Sequence, residues 1–433
     1  QQLSTNSSGR AQHSHALDNL RGEINWLQEQ LRASFEQSNP LQFAIQSRQL
    51  RSRLAESTRQ YDALLAQLER QEISNPEAPG LPSYFNLPSF RATAKQMLGS
   101  SWLALDYYLT ESHLITVSIS PEICEVHTAP FTSRIRMALD SCQRAWHQEN
   151  AALPRDLEIL GEWLIPPAIA KYLSLEPLIL LVPHRGLHGI PWGALQPGAT
   201  DQPLVWQCAP SVTPSLQSLI ALWMRAASGS TPPSEPGLVI GLSKTSNAKE
   251  ELPYVRDEIA ALQNTQEPGV QFLLEEQATW EQVQWLREQD QAQGLARFAW
   301  LHLAGHAFAD QHTGRLGGFS LWDGDIRLDQ LRDLNPLPKL VTFSACSSLY
   351  SFVYEGDEHV GLPMTCLVAG ANSVVGSAWP ITDRAAHEFT IEFYRYYLEG
   401  VSPAWAVTLA QRKMIGSKAE ISTWASFTCL GMP

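Results

Sequence analysis

Cysteine is scarce and unorganised in this chain. Six residues (Cys124, Cys142, Cys208, Cys346, Cys366 and Cys429) are spread over 433 positions, with no C-x-x-C and no framework spacing. That excludes a disulfide-stapled secreted scaffold and points to a reduced cytoplasm. Basic charge is also short, with 31 Lys and Arg against 44 Asp and Glu, a net charge of −13. Without clustered cations a nucleic-acid-binding face is excluded. No apolar run approaches the length of a membrane span, and the polar start Gln-Gln-Leu-Ser-Thr-Asn is no signal peptide, so no membrane partner is expected. The first residue is Gln1 rather than Met, and we expect a processed form or a fragment of something longer. G-x-x-x-x-G-K-[ST] and G-x-G-x-x-G are missing, so no nucleotide or other cofactor is implied, and the serine motif G-x-S-x-G is missing as well.

What is present describes a globular protein of two or three units, with 44% hydrophobic residues. Near the start, Leu17, Leu20, Ile24, Leu27 and Leu31 recur at alternating steps of three and four, the seam of a coiled coil. Asn39-Pro40 breaks that helix, and a second pattern carries Leu50, Leu54, Tyr61, Leu65 and Leu68. Residues 1–75 therefore read as a helical hairpin. Either it packs on the rest of its own chain, or it is a docking arm for a regulatory protein or the end of a longer helical region. No repeat with the period of helical arrays is visible.

Four prolines between Pro76 and Pro88 read as a linker, and Thr231–Gly237 as a second one. Between and after them strands alternate with helices, which implies parallel βαβ units. The strands expected are Trp102–Leu109, Leu114–Ser120, Ile123–Val126, Leu178–Val182, Leu238–Gly241, Gln271–Leu274, Phe298–Leu303, Leu340–Phe343 and Ser373–Ala378. The helices expected are Ser133–Gln148, Val255–Gln263 and Ala278–Gln289. Residues 100–230 and 237–433 are then two halves.

Two stretches in the second half share one design. Phe298–Leu303 and Leu340–Phe343 are short apolar runs that read as buried strands of a parallel sheet, and they lead to His306 and Cys346. In such a sheet the carboxyl ends of the strands lie along one edge, where ligands bind. A His within reach of a Cys can take its proton, and the thiolate is the nucleophile. Taken alone, Cys346 would read as a buried small hydrophobe. His302 and His306 are four apart, as are His184 and His188, but both pairs fall on strand ends or loops. No Cys or acidic cluster completes either, so no metal is expected. His302, inside its strand, reads as a hydrogen-bonded core histidine, and His184-Arg-Gly-Leu-His188 as capping the strand of the first half and packing on Pro191-Trp192.

Leu301-His-Leu-Ala-Gly-His-Ala-Phe-Ala-Asp310, followed by Val341-Thr-Phe-Ser-Ala-Cys-Ser-Ser348, resembles the CHAT family of caspase-like cysteine peptidases, relatives of caspases and separase. So do Gly356-Asp-Glu-His-Val-Gly-Leu-Pro-Met364, Ala369-Gly-Ala-Asn-Ser-Val-Val-Gly-Ser-Ala-Trp-Pro380 and Trp424-Ala-Ser-Phe427. Upstream, Leu180-Leu-Val-Pro-His-Arg-Gly-Leu-His-Gly-Ile-Pro-Trp192 and Ala209-Pro-Ser-Val-Thr-Pro-Ser-Leu216 match as well. The similarity runs from about Ser100 to Met432.

The resemblance implies a caspase-like αβα sandwich, α/β in class, with a mostly parallel central sheet built from a degenerate and an active half. It also implies a regulated endopeptidase in which Cys346 attacks and His306 shuttles protons. The backbone N–H groups of Ala307 and Cys346 are the candidate oxyanion donors. The family usually has Gly after this His, so Ala307 would be strained if the position demanded a glycine-only backbone. Asp383 can cap its own helix, or, as the resemblance implies, receive a basic side chain of a protein substrate before the scissile bond. Tyr350–His359 resembles the loop that moves or is cut on activation, and Gly314–Gly318 reads as a flexible turn beside the site. The alternative is a catalytically silent scaffold that signals through its helical arm.

Overall fold

A computed structural model describes residues 85–145, 153–173, 177–198, 202–227, 233–244, 251–265, 269–308, 317–346, 348–349, 351–353 and 359–433. It also describes Leu27, Gln49, Leu50, Ser52, Arg53, Leu54, Glu56, Ser57 and Gln60, all helical. Apart from these positions, the hairpin expected over residues 1–75 lies outside the described residues. The chain forms two compact units, Gln1–Ser83 and Tyr84–Pro433.

In the second unit, helix α1 (Leu87–Leu98) opens on Asn86, whose Oδ1 accepts the Ser89 N–H at 2.9 Å. Pro88 sits in its first turn, where a missing N–H costs nothing, so the expected linker already gives way to helix there. Strands β1 (Trp102–Leu109), β2 (His113–Ile119) and β3 (Cys124–Pro130) form an antiparallel meander. Every second residue of β3 is exposed, as befits an edge strand. Helices α2 (Ser133–Ala145) and α3 (Leu153–Leu164) lead to β4 (Leu178–Val182), then β5 (Ala209–Val212) and α4 (Leu216–Ala227). Helix α3 follows no expected element. Its buried residues include Leu153, Leu157, Leu160 and Leu164, the spacing of one helical face.

The second half runs β6 (Glu235–Gly241), α5 (Pro253–Gln263), β7 (Gln271–Leu274), α6 (Trp280–Glu288) and β8 (Phe298–Ala304). The short strands β9 (Ala307–Phe308), β10 (Gly318–Ser320) and β11 (Asp325–Arg327) form a small side sheet. After β12 (Leu340–Ser344), β13 (Ser351–Val353) pairs with β14 (His359–Gly361) as a hairpin. Then come α7 (Leu362–Val368), β15 (Ser373–Ser377), α8 (Asp383–Leu398), α9 (Pro403–Gly416) and β16 (Phe427–Gly431). Strand β6 begins at Glu235, inside the expected second linker, because the Glu235 carboxylate is held by the buried Arg297 at 2.9 Å.

All the longer strands join one eleven-stranded sheet in the order β3-β2-β1-β4-β5-β16-β15-β12-β8-β6-β7. It is mostly parallel. Only the β1–β2, β2–β3 and β15–β16 pairs are antiparallel. Because β16 opposes β15 but runs with β5, the parallel strands of the two halves point in opposite directions. Helices cover both faces. Leu301, Leu303, Val341 and Phe343 join a core with Val283 and Leu286 of α6 and Leu362 and Leu367 of α7. Trp300, Ala304 and Leu340 face the other way, into a core with Val255 and Ile259 of α5 and Phe389, Phe393 and Tyr394 of α8. The period-two alternation of a strand thus divides each apolar run between two cores. It also turns His302, Ser344 and Thr342 toward α5 and α8. Among the described residues, no helix is long and apolar enough to cross a membrane.

Candidate active site

Strands β8 and β12 are parallel neighbours, with Ala304 opposite Ser344. The register offset of 40 residues, as between His302 and Thr342, is also the separation of His306 from Cys346. Each lies two residues past its strand, so the two emerge at one height on adjacent strands. Between β8 and His306, Gly305 adopts φ 155° and donates its N–H to Ser344 O at 3.1 Å. A Cβ there would meet Leu242 O and the Phe319 ring at 3.3 Å, so a side chain would be strained and crowded.

The turn that carries Cys346 is tied to the end of β15. Ser377 Oγ donates to Ala345 O at 3.0 Å, and Leu349 N donates to Ser377 O at 2.9 Å. Ser348 Oγ accepts the Ser377 N–H at 3.2 Å and lies where a Cβ on Gly376 would stand, so this close approach requires glycine. Cys346 itself is exposed, and its thiol donates to Ile381 O at 3.3 Å. The segment that presents Ile381 is held in turn by the Trp379 indole N–H, which donates to Ser422 O at 2.7 Å. None of Ser348, Ser377 and Trp379 is a candidate from sequence, because small polar residues near strand ends are common and a tryptophan reads as core.

Ala307 lies in β9, opposite Phe319, and its φ is not positive. The strain expected of a non-glycine residue there is absent. Ser320 N donates to His306 O at 2.9 Å, so the hydrogen-bonded pairs of this ladder are His306 with Ser320 and Phe308 with Gly318. By alternation the Ala307 N–H points away from β10.

Asp383 is the first residue of α8, on the loop that leaves β15. It does not cap its own helix: Thr382 does, its Oγ1 accepting from Ala385 N at 3.2 Å. Asp383 Oδ2 instead accepts the N–H of Tyr254 at 2.7 Å, in the first turn of α5, whose own N-cap residue Leu252 has no side-chain oxygen. Burial holds the Asp383 carboxyl above its ordinary range. The Tyr254 N–H opposes that rise, the Glu258 charge adds to it, and His387 and His306 counter it. His306, Cys346 and Asp383 therefore follow β8, β12 and β15, consecutive parallel strands.

Beneath them lies a polar cluster. Glu258 on α5 and His302 on β8 are each 1% exposed, with Oε1 and Nε2 at 2.6 Å. Ser344 Oγ donates to the other Glu258 oxygen at 2.7 Å, and His302 Nδ1 meets Thr342 Oγ1 at 2.7 Å. Thr342 Oγ1 meets the Tyr394 hydroxyl at 2.6 Å. His302 is thus the core histidine its strand position suggests.

Of the other histidine pair, His184 lies against the end of β1. His184 Nδ1 accepts the Leu109 N–H at 3.0 Å and its ring lies against Tyr108, while Trp192 stacks on Tyr107 at 5.2 Å. His188 meets His359, with ring centroids 3.8 Å apart. Among the described residues no group of His, Cys, Asp and Glu is arranged to hold a metal ion. Of the glycine-rich turn and the loop after the cysteine, residues 314–316, 350 and 354–358 lie outside the described residues.

A CHAT domain model matches residues 154–432, well over half of the chain. The chain belongs to the CHAT family. The Saccharomyces cerevisiae separase–securin complex is a similar solved structure, with 14% identity over 96% of this chain and a TM-score of 0.43. The complex of the Porphyromonas gingivalis RgpB pro- and mature domains is another, with 11% identity over 69% of this chain and 76% of the other, and a TM-score of 0.41. A third is the Arg-specific cysteine proteinase gingipain R, with 10% identity over 70% and 74% and a TM-score of 0.40. The chain spans 28% of the length of the separase chain. Among curated proteins none matches it.

Proposed function

We propose that this CHAT protein is a regulated cysteine endopeptidase that cleaves protein substrates after Arg or Lys. The observation that carries the reading is the emergence of His306 and Cys346 at one height from adjacent parallel strands. His306 takes the thiol proton, and the Cys346 sulfur attacks the scissile carbonyl carbon. The carbonyl oxygen gains the negative charge and is met by the N–H groups of Ala307 and Cys346. The tetrahedral intermediate collapses as His306 gives its proton to the leaving amine, and a water then releases the acyl group by the reverse sequence.

Asp383 is the specificity group in this scheme. Its Oδ2 is engaged by Tyr254, so an entering guanidinium meets Oδ1. A half-buried carboxylate gains most from a charge-assisted partner, whereas an acidic substrate side chain would be repelled. The net charge of −13 favours the approach of basic segments, more so at low salt.

A resting form is favoured by the hydrogen bond from Cys346 to Ile381, which exchanges with a form in which the sulfur turns to His306. A regulatory protein docked on the N-terminal helical region would drive activation by drawing this exchange, already present in the isolated chain, out of the Ile381-bonded state. A scaffold that never leaves this state is the second reading. We place the protein in the cytoplasm, where six unpaired thiols persist.

The test is incubation of the protein and its Cys346→Ala variant with a peptide library, with and without candidate partners. Cleavage after Arg or Lys that vanishes in the variant supports the peptidase. Cleavage retained in the variant removes Cys346 from the mechanism, and no cleavage under any condition favours the scaffold.

A further inference from the structure

Glu258 and His302 take no part in the chemistry proposed above, yet they are among the most buried polar side chains of the chain. A buried carboxylate and imidazole are costly to desolvate, and apolar residues of similar volume often stabilise a fold as well or better. Core stability alone therefore does not account for the pair. Its place in the fold does. His302 is four residues before His306 on β8, and Ser344 is two residues before Cys346 on β12. Glu258 lies one helical turn after Tyr254, whose N–H holds Asp383. Tyr394 lies three turns along α8 from Asp383 and, at eleven residues, on the same face. His306, Cys346 and Asp383 are thus each carried by, or directly follow, an element that this cluster ties to the others.

We propose that the Glu258–His302 pair is a positioning device for the dyad. It locks β8, β12, α5 and α8 at the height where His306 and Cys346 emerge, so that imidazole and sulfur can meet as a reactive pair. The proposal rests on the dyad proposed above. Both carboxylate oxygens are committed, one to each strand, so Glu258 fixes the two strand ends relative to one helix. The groups facing Glu258 are His302 on β8, Ser344 on β12, and Asp383 and Tyr394 on α8.

The test is iodoacetamide alkylation in the full chain from about pH 5 to pH 9, followed by mass spectrometry of the Cys346 peptide. Its proteins are the wild type, His306→Ala, Glu258→Gln, Glu258→Leu and the double variant Glu258→Leu with His302→Leu, each checked for fold by circular dichroism. Glutamine can still accept from Ser344 and donate to His302. The double variant leaves no unpaired buried charge, so it is readable even where Glu258→Leu alone fails to fold.

At pH 7 the wild type should react faster than His306→Ala, and Glu258→Gln should stay within about threefold of the wild type. Glu258→Leu and the double variant should fall by about tenfold or more, since small misplacements of reacting groups are that costly. Their rate profiles should move toward that of His306→Ala. A folded double variant with the wild-type profile would overturn the positioning role and leave the dyad standing. A wild-type profile identical to that of His306→Ala would overturn the dyad, and the positioning role with it.

Discussion

Asp383, the first residue of one helix, accepts the backbone N–H of Tyr254, in the first turn of another, at 2.7 Å. A carboxylate borrowed across the fold thus closes the N-terminus of α5. It sits near the positive ends of two helix dipoles, which favour its charged form against the burial that opposes it. Capping and substrate recognition need not exclude each other, because they use different oxygens.

Substitution at Asp383 separates the two roles. Asparagine keeps an oxygen for Tyr254, so Asp383→Asn should change stability by less than about 0.5 kcal/mol, whereas Asp383→Ala should cost about 1 kcal/mol. Both should lose most cleavage after Arg, since neither offers a charge. Because the carboxyl lies above its ordinary range, acidification should abolish the preference for Arg at a higher pH than an unperturbed aspartate would. Thermal melts with cleavage assays on Arg and neutral peptides read both effects. Full Arg cleavage in the stable Asp383→Asn protein would leave Asp383 as a cap of α5 only.

Asp106 on β1 faces Val117 and Val182 in register, and burial raises its carboxyl from 3.8 to about 6. The folded state therefore holds this proton more tightly than the unfolded chain. The stability it contributes is complete below pH 3.8 and is lost as pH rises through 6, a swing of about 3 kcal/mol. Asp106→Asn should accordingly melt higher than the wild type at pH 8, with the gain gone by pH 4. A melting difference that is the same at both pH values would contradict this.

Most of the sheet is legible in the sequence because buried strands are short apolar runs ended by turn residues. Gln271–Leu274 lies where its pattern places it, and Phe298–Ala304 and Leu340–Ser344 each extend one residue beyond theirs. The strand ends that carry His306 and Cys346 follow from that. Glu258 is not legible. In Val255-Arg-Asp-Glu-Ile259 it reads as one more solvated charge, and its partner His302 lies 44 residues away. Nor is the cap on Tyr254 legible, because it is a backbone group that accepts help from a helix far along the chain. Prolines misled at both expected linkers. Pro88 starts a helix and Pro236 lies within a strand, since proline fits a helix's first turn and a strand's beginning.

The cysteines give a direct comparison of reactivity. Cys142, Cys208, Cys366 and Cys429 are buried, and burial pushes all four thiols up, Cys142 and Cys429 to about 12. Cys124 and Cys346 are exposed. Limited alkylation of the folded protein at pH 7 should label Cys346 first, Cys124 slowly and the other four only on unfolding, as read by peptide mass. His306→Ala should bring Cys346 down to the rate of Cys124. Equal rates at Cys346 and Cys124 in the wild type would show that the histidine does not activate the thiol.

The last prediction concerns Glu235, which a sequence reading assigns to a linker. Arg297 exposes only 6% of its side chain, and its Nε donates to Glu235 Oε1 at 2.9 Å. Its Nη1 reaches the carbonyls of Leu286 and Gly294, which carry no full charge. Glu235 therefore supplies the one carboxylate this guanidinium meets among its described hydrogen bonds. Removing it leaves a cation between α6 and the start of β8 that water reaches poorly, and uncompensated buried charges cost about 3–5 kcal/mol. Glu235→Ala should lower stability by that order, while Glu235→Ala with Arg297→Met should recover most of it by removing the charge as well. Urea unfolding of the two variants and both parents reads this, with an unchanged denaturant slope marking a stability effect rather than a looser native state. A loss below about 1 kcal/mol in Glu235→Ala is the value of a surface pair, and would mean that the strand's first residues carry no structural charge.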